Sequence, residues 1–131
     1  MSYKKRRRYK YNLHSDLEYQ TGMQVDTPQD LGLLEITGTG TLFIRKGYSW
    51  DGPSGPTIDT QTFMRGSLVH DALYQLIREK VLDLSYRKRA DDILREICIK
   101  DGMSAFRAWY VYKAVRLAGK KSAEPDLLYA P

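Results

Sequence analysis

The stretch GSLVHDALYQLIR, residues 66–78, decides how the chain divides. Val69, Ala72, Leu73, Leu76 and Ile77 recur at i, i+3, i+4, i+7 and i+8, the spacing of one helix face rather than the alternation of a strand. The first helix is therefore placed at about 63–80. Downstream the same period continues. Ala90, Ile93, Leu94 and Ile97 predict a second helix at about 86–100. Phe106, Trp109, Tyr110, Ala114 and Leu117 predict a third at about 103–118, with these five as its apolar face. Gly102 and Ser104 mark its entry and Gly119 its exit.

Upstream the period changes to that of strands. Leu13, Leu17 and Tyr19 lie among polar neighbours, and LGLLEITGTGTLFIRKGYSW sets two β-rich runs around Gly38-Thr39-Gly40. Residues 31–37 and 41–46 are expected to pair as a hairpin (31–46), with glycine supplying the positive φ of the turn. From about 49 to 62, SWDGPSGPTIDTQT is rich in Gly and Pro and reads as an ordered loop. The class is thus α+β, antiparallel strands followed by three helices. A basic arm at 1–10, one domain over 11–120 and an irregular tail at 121–131 complete the plan.

Composition sets the outer bounds. With 131 residues, 42% of them hydrophobic and 28% charged, the chain suits one ordered domain. No apolar run reaches the roughly 18 residues that span a bilayer, so no transmembrane segment is expected. The N-terminus lacks the apolar core of a signal peptide, so secretion through that route is not expected. One cysteine, Cys98, excludes a disulfide framework within the chain.

The net charge of +5 is concentrated in MSYKKRRRYK, whose six Lys and Arg have no acid among them; the remainder carries −1. Lys4, Lys5, Arg6, Arg7 and Arg8 are candidates for phosphate contacts with nucleic acid or anionic lipid. A solvated tail is the simpler explanation.

His70 and Asp71 sit oddly on so apolar a helix. His70 lies one step, about 100°, beyond Val69 in the middle of the first stripe, and Asp91 one step beyond Ala90 in the second. A short connection favours antiparallel packing of these two helices. Equal rotation on facing antiparallel helices then brings His70 and Asp91 to the same side, where they are expected to meet at the rim of the interface. A carboxylate there fixes the imidazole tautomer and raises its proton affinity, leaving the other nitrogen to activate water. Tyr74, at i+4 from His70, can orient a carboxylate. Asp71 points elsewhere and, with loop carbonyls, offers hard oxygen ligands suited to Ca²⁺. A satisfied structural pair explains His70 and Asp91 equally well. Asx turns explain Asp51 and Asp59; Asp92 reads as solvated, and Trp50, Trp109 and Tyr110 as packing residues.

The strings WDGPSGPTIDT, RGSLVHDALYQLIR and YRKRADD together resemble a small domain family of unknown function common in tailed phages and prophages, over about residues 9–119. That resemblance implies a phage origin and no reaction. More distantly, VHDALY is similar to the His-Asp-x-x-Tyr helix of prokaryotic and parvoviral phospholipases A2. In those enzymes a glycine-rich calcium loop precedes the helix and an Ala-Asp follows on its partner. The likeness implies His70 as general base, Asp91 as its orienting carboxylate and Tyr74 beside them. It implies Ca²⁺ held by Asp71 with the loop of Asp51, Gly52 and Gly55. The chain departs from secreted phospholipases in its lone cysteine and in a loop with Pro53 and Pro56 in place of the Tyr-x-Gly-x-Gly spelling.

Four function classes follow, one of them nucleic-acid binding through residues 4–10 as an accessory to any of the other three. Of those three, one is a Ca²⁺-dependent lipid esterase acting on phospholipid. The second is a non-catalytic phage component that contacts another phage or host protein. The third is a metal phosphohydrolase using His14, His70, Asp71 and Asp91 or Asp92.

Overall fold

The computed structural model describes residues 11–50 and 61–123, with side chains described through 118. The chain forms two compact units, Met1–Ile58 and Asp59–Pro131. The arm at 1–10, the loop at 51–60 and the end of the tail lie outside the described residues, and with them the expectations for Lys4 to Arg8, Asp51, Gly52, Gly55 and Asp59.

The first unit is antiparallel β. Strands β1 (Tyr11–Asn12) and β6 (Ser49–Trp50) pair with each other. Strands β2 (Leu17–Gln20), β3 (Gln29–Asp30), β4 (Leu34–Ile36) and β5 (Thr41–Ile44) form a sheet in the order β2-β5-β4-β3. The expected hairpin is β4–β5, in register Leu34↔Ile44 and Ile36↔Leu42. These four residues are buried while Glu35, Thr41 and Phe43 between them are less so, the alternation of a one-sided sheet. The turn glycine with positive φ is Gly40, at +89°. Its position is doubly constrained, because a Cβ there would lie 2.3 Å from the Met23 carbonyl oxygen. The extended segment 21–25 buries Thr21, Met23 and Val25 alternately. It hydrogen-bonds the turn through the Thr21 and Val25 amides to Gly40 O (2.9 Å) and Gly38 O (3.0 Å). Trp50 is buried as expected, with its ring 5.6 Å from that of Tyr11 across the β1–β6 pair.

The second unit contains helices α1 (Gln61–Arg78), α2 (Arg87–Lys100) and α3 (Ala105–Ala123), with a 3₁₀ turn at Leu84–Tyr86 before α2. Helix α1 closes with Lys80 in the left-handed region and the Val81 amide on Leu76 O, a Schellman-type end. Asp83 caps the 3₁₀ turn through the Ser85 amide, and Ser104 caps α3 through the Arg107 amide. The first two helices bury the predicted stripes: Val69, Ala72, Leu73, Leu76 and Ile77 against Ala90, Ile93, Leu94 and Ile97. Arg65 clasps Asp101 with two hydrogen bonds, Gly66 faces Cys98, and His70 meets Asp91, so partner numbers fall as α1 numbers rise and the helices are antiparallel. A Cβ at Gly66 would stand 3.0 Å from both Cys98 Sγ and Leu94 Cδ1, so glycine permits the close approach at this end.

Helix α3 corrects two expectations. It passes through Gly119 and continues to Ala123, since a helix-interior glycine costs only about 1 kcal/mol. Its rotation also differs. Phe106, Trp109, Tyr110 and Leu117 are exposed, and Trp109 and Tyr110 are not packing residues. The inward side is Ala108, Val111 and Val115, which join Met103 against Phe63, Leu94 and Cys98. Both stripes repeat with helical period, so periodicity alone could not choose between them.

Candidate functional site

His70 enters the α1–α2 interface beside Val69, and Asp91 enters beside Ala90, each in the middle of its helix. The structure brings the two together. Because an ionised carboxylate only accepts, His70 Nε2–H donates to Asp91 Oδ1, at 2.6 Å. The Tyr74 hydroxyl donates to the same oxygen at 2.7 Å, with its ring 4.2 Å from the imidazole. The other oxygen, Oδ2, takes a hydrogen bond from Arg116 Nη1 at 2.9 Å and faces Arg87 Nη1 at 3.7 Å. Asp91 is 0% exposed and His70 7%. The expected rim position is therefore deeper than sequence spacing implies, because two guanidinium groups close over the carboxylate.

The electrostatics follow from these neighbours. Burial alone would raise the Asp91 pKa, but the hydrogen bonds from His70, Tyr74 and Arg116 outweigh it and hold the carboxyl below its ordinary value. Burial alone would lower the His70 pKa; the carboxylates of Asp71 and Asp91 more than offset this and hold it above 6.5. Desolvation first, then the hydrogen bond to Asp91 and its charge, push the Tyr74 hydroxyl up, so it remains a hydrogen-bond donor. No buried side-chain nitrogen or oxygen among the described residues lacks a partner.

With Nε2–H committed to Asp91, the remaining lone pair of a neutral His70 is on Nδ1. That atom lies 3.9 Å from Asp71 Oδ1, beyond direct hydrogen-bond range. The Asp71 side chain is 39% exposed, so the polar edge of the pair continues to solvent through Asp71. Arg87 and Arg116 were not found from the sequence. Arg87 had a signal, its i,i+4 spacing from Asp91. Arg116 had none, because its contact depends on the rotation of α3.

Metal-binding expectations divide. Of the proposed calcium ligands, Asp71 is described and Asp51, Gly52 and Gly55 are not. Among the described residues, no group of three or more His, Cys, Asp or Glu is arranged to hold a metal ion. Within the helical unit, His70, Asp71 and Asp91 or Asp92 form no such group. His14 is exposed in the β unit, and Asp92 pairs with Lys88 at 3.2 Å. Cys98 is buried and its thiol is pushed up to about 12, first by desolvation, which leaves it inert at neutral pH.

No helix among the described residues is long and apolar enough to cross a membrane. No curated protein and no solved structure matches the chain. A family model does match, over residues 34–115, from the start of β4 to one residue short of Arg116. The chain belongs to DUF1353, a family of proteins of unknown function.

Proposed function

We propose that this DUF1353 protein is a phage-encoded, phospholipase A2-like hydrolase acting on lipid esters, in the host cytoplasm or as part of the virion. The observation that carries the reading is the shared oxygen: His70 Nε2 and the Tyr74 hydroxyl both on Asp91 Oδ1, at 2.6 and 2.7 Å. Asp91 orients the imidazole and fixes its tautomer. His70 Nδ1 takes a proton from water as that water attacks the ester carbonyl, and Asp91 stabilises the imidazolium that results. Tyr74 keeps the carboxylate in place.

On this reading Ca²⁺ would be held by Asp71 together with Asp51, Gly52 and Gly55, which lie outside the described residues; all-oxygen donors suit Ca²⁺ rather than a softer metal. Bound Ca²⁺ supplies polarisation of the ester carbonyl and charge for the developing oxyanion. Asp71 is also one of the two carboxylates that raise the His70 pKa. Once its charge is engaged by a cation, His70 releases its proton at lower pH.

The full chain with Ca²⁺ is expected to release fatty acid from phospholipid vesicles, and His70→Gln to reduce the rate by about 10²–10⁴-fold. Calcium should raise the melting temperature and lower the His70 titration midpoint, both effects disappearing in Asp71→Asn. The burial of Asp91 and its complete set of partners favour a second reading, a non-catalytic phage component using the network as a scaffold. If calcium changes neither quantity, no fatty acid appears and His70→Gln only lowers stability, the scaffold reading replaces the hydrolase.

A further inference from the structure

Helix α3 presents to solvent the side chains that its own periodicity would have buried. Phe106 is 75% exposed, Tyr110 61%, Trp109 44% and Leu117 84%, and the Phe106 and Trp109 rings lie 6.1 Å apart. Spacings of four, three and four residues set Phe106, Tyr110, Lys113 and Leu117 on one side, opposite Ala108, Val111 and Val115. Clustered exposed apolar groups of this kind mark an interaction surface. The sequence AFRAWYVYKAVRLAGKKSA carries Arg107, Lys113, Lys120 and Lys121, besides the Arg116 engaged on Asp91, and no Asp or Glu.

We infer that this face of α3 docks on the surface of a bilayer containing anionic phospholipid. Trp and Tyr suit the headgroup level, where one end of the ring is apolar and the other wet. Lys113 separates this occupant from the rest. Protein interfaces are depleted of lysine at their centre, whereas on a bilayer a lysine lays its stem along apolar neighbours and places its ammonium among phosphates. A second copy of the helix fits poorly, since two acid-free faces would set cation against cation. The inference goes beyond the hydrolase reading and stands even if His70 has no catalytic role.

Co-sedimentation of the full chain with vesicles of phosphatidylcholine, with and without phosphatidylglycerol, tests it. Binding is expected to the mixed vesicles and to weaken as salt rises. The double substitution Phe106→Ser with Leu117→Ser should weaken it at least about tenfold, Lys113→Glu should weaken it further in the mixed vesicles than in the neutral ones, and melting temperatures should hold, since all three positions are exposed. Trp109 emission should shift to the blue on binding. Absence of binding overturns the inference. So does binding that both substitutions leave unchanged, which would place the contact elsewhere in the chain, or a lipid-free dimer that the double substitution dissolves.

Discussion

Thr21 in the β unit and Asp91 in the helical unit are both 0% exposed, but they are kept inside by different means. Thr21 is neutral. Its hydroxyl donates to Gly40 O at 2.7 Å and accepts from the Met23 amide at 3.1 Å, tying the extended segment to the hairpin turn. Asp91 is charged, and His70, Tyr74 and Arg116 surround it from three helix positions. A neutral node gives geometry that is indifferent to pH. A charged node costs desolvation and adds titration.

Removing the charged node should have the largest effect. Asp91→Ala leaves Arg116 and a protonatable His70 without their anion and is expected to cost about 3–5 kcal/mol in urea unfolding at neutral pH. The pH dependence should separate the two nodes. Because the folded His70 pKa is raised, its contribution is complete below 6.5 and disappears as pH rises through the folded value. Because the folded Asp91 pKa is lowered, its contribution is complete above 3.8 and disappears as pH falls through the folded value. The loss in Asp91→Ala should therefore be greatest between these limits and shrink on the alkaline side. Activity on the hydrolase reading should run the opposite way, rising with pH as His70 becomes a free base. Activity that falls as pH rises through this range would break the assignment of His70 as base.

Disrupting the neutral node should cost less, on the order of 2–4 kcal/mol, and equally at every pH. Gly40→Ala meets both a positive φ and the Met23 backbone at 2.3 Å. A strong pH dependence of this loss would mean that the two nodes are not independent.

The same contrast governs what could be read from the sequence. The hairpin was legible because β4 and β5 alternate and Gly40 has no substitute at its φ. The segment 21–25 was not, since its two backbone bonds to the turn are tertiary and no ladder announces them. The meeting of His70 and Asp91 followed from two one-step offsets on antiparallel helices. Its depth did not follow, because the guanidinium groups of Arg87 and Arg116 that cover Asp91 come from a different turn and a different helix. On α3, Phe106, Trp109, Tyr110 and Leu117 compete with Ala108, Val111 and Val115 at equal period. Close packing on Leu94 and Cys98 favours the smaller set, and the Arg116–Asp91 bond agrees with that rotation.

Arg116 provides the smallest and sharpest of the expected effects. Arg116→Gln removes one charged donor from Oδ2 while His70 and Tyr74 remain on Oδ1, so the expected loss is about 1–2 kcal/mol, well below that of Asp91→Ala. The sign of its effect on His70 is more telling. Arg116 compensates part of the Asp91 charge, and without it the carboxylate holds the imidazole proton more strongly, so the His70 midpoint should rise. The chain has two histidines, and the exposed His14 provides a second imidazole signal against which the change can be read by NMR. A midpoint that falls would mean that Arg116 supports the orientation of Asp91 rather than balancing its charge, and the electrostatic link between α3 and the dyad would have to be abandoned.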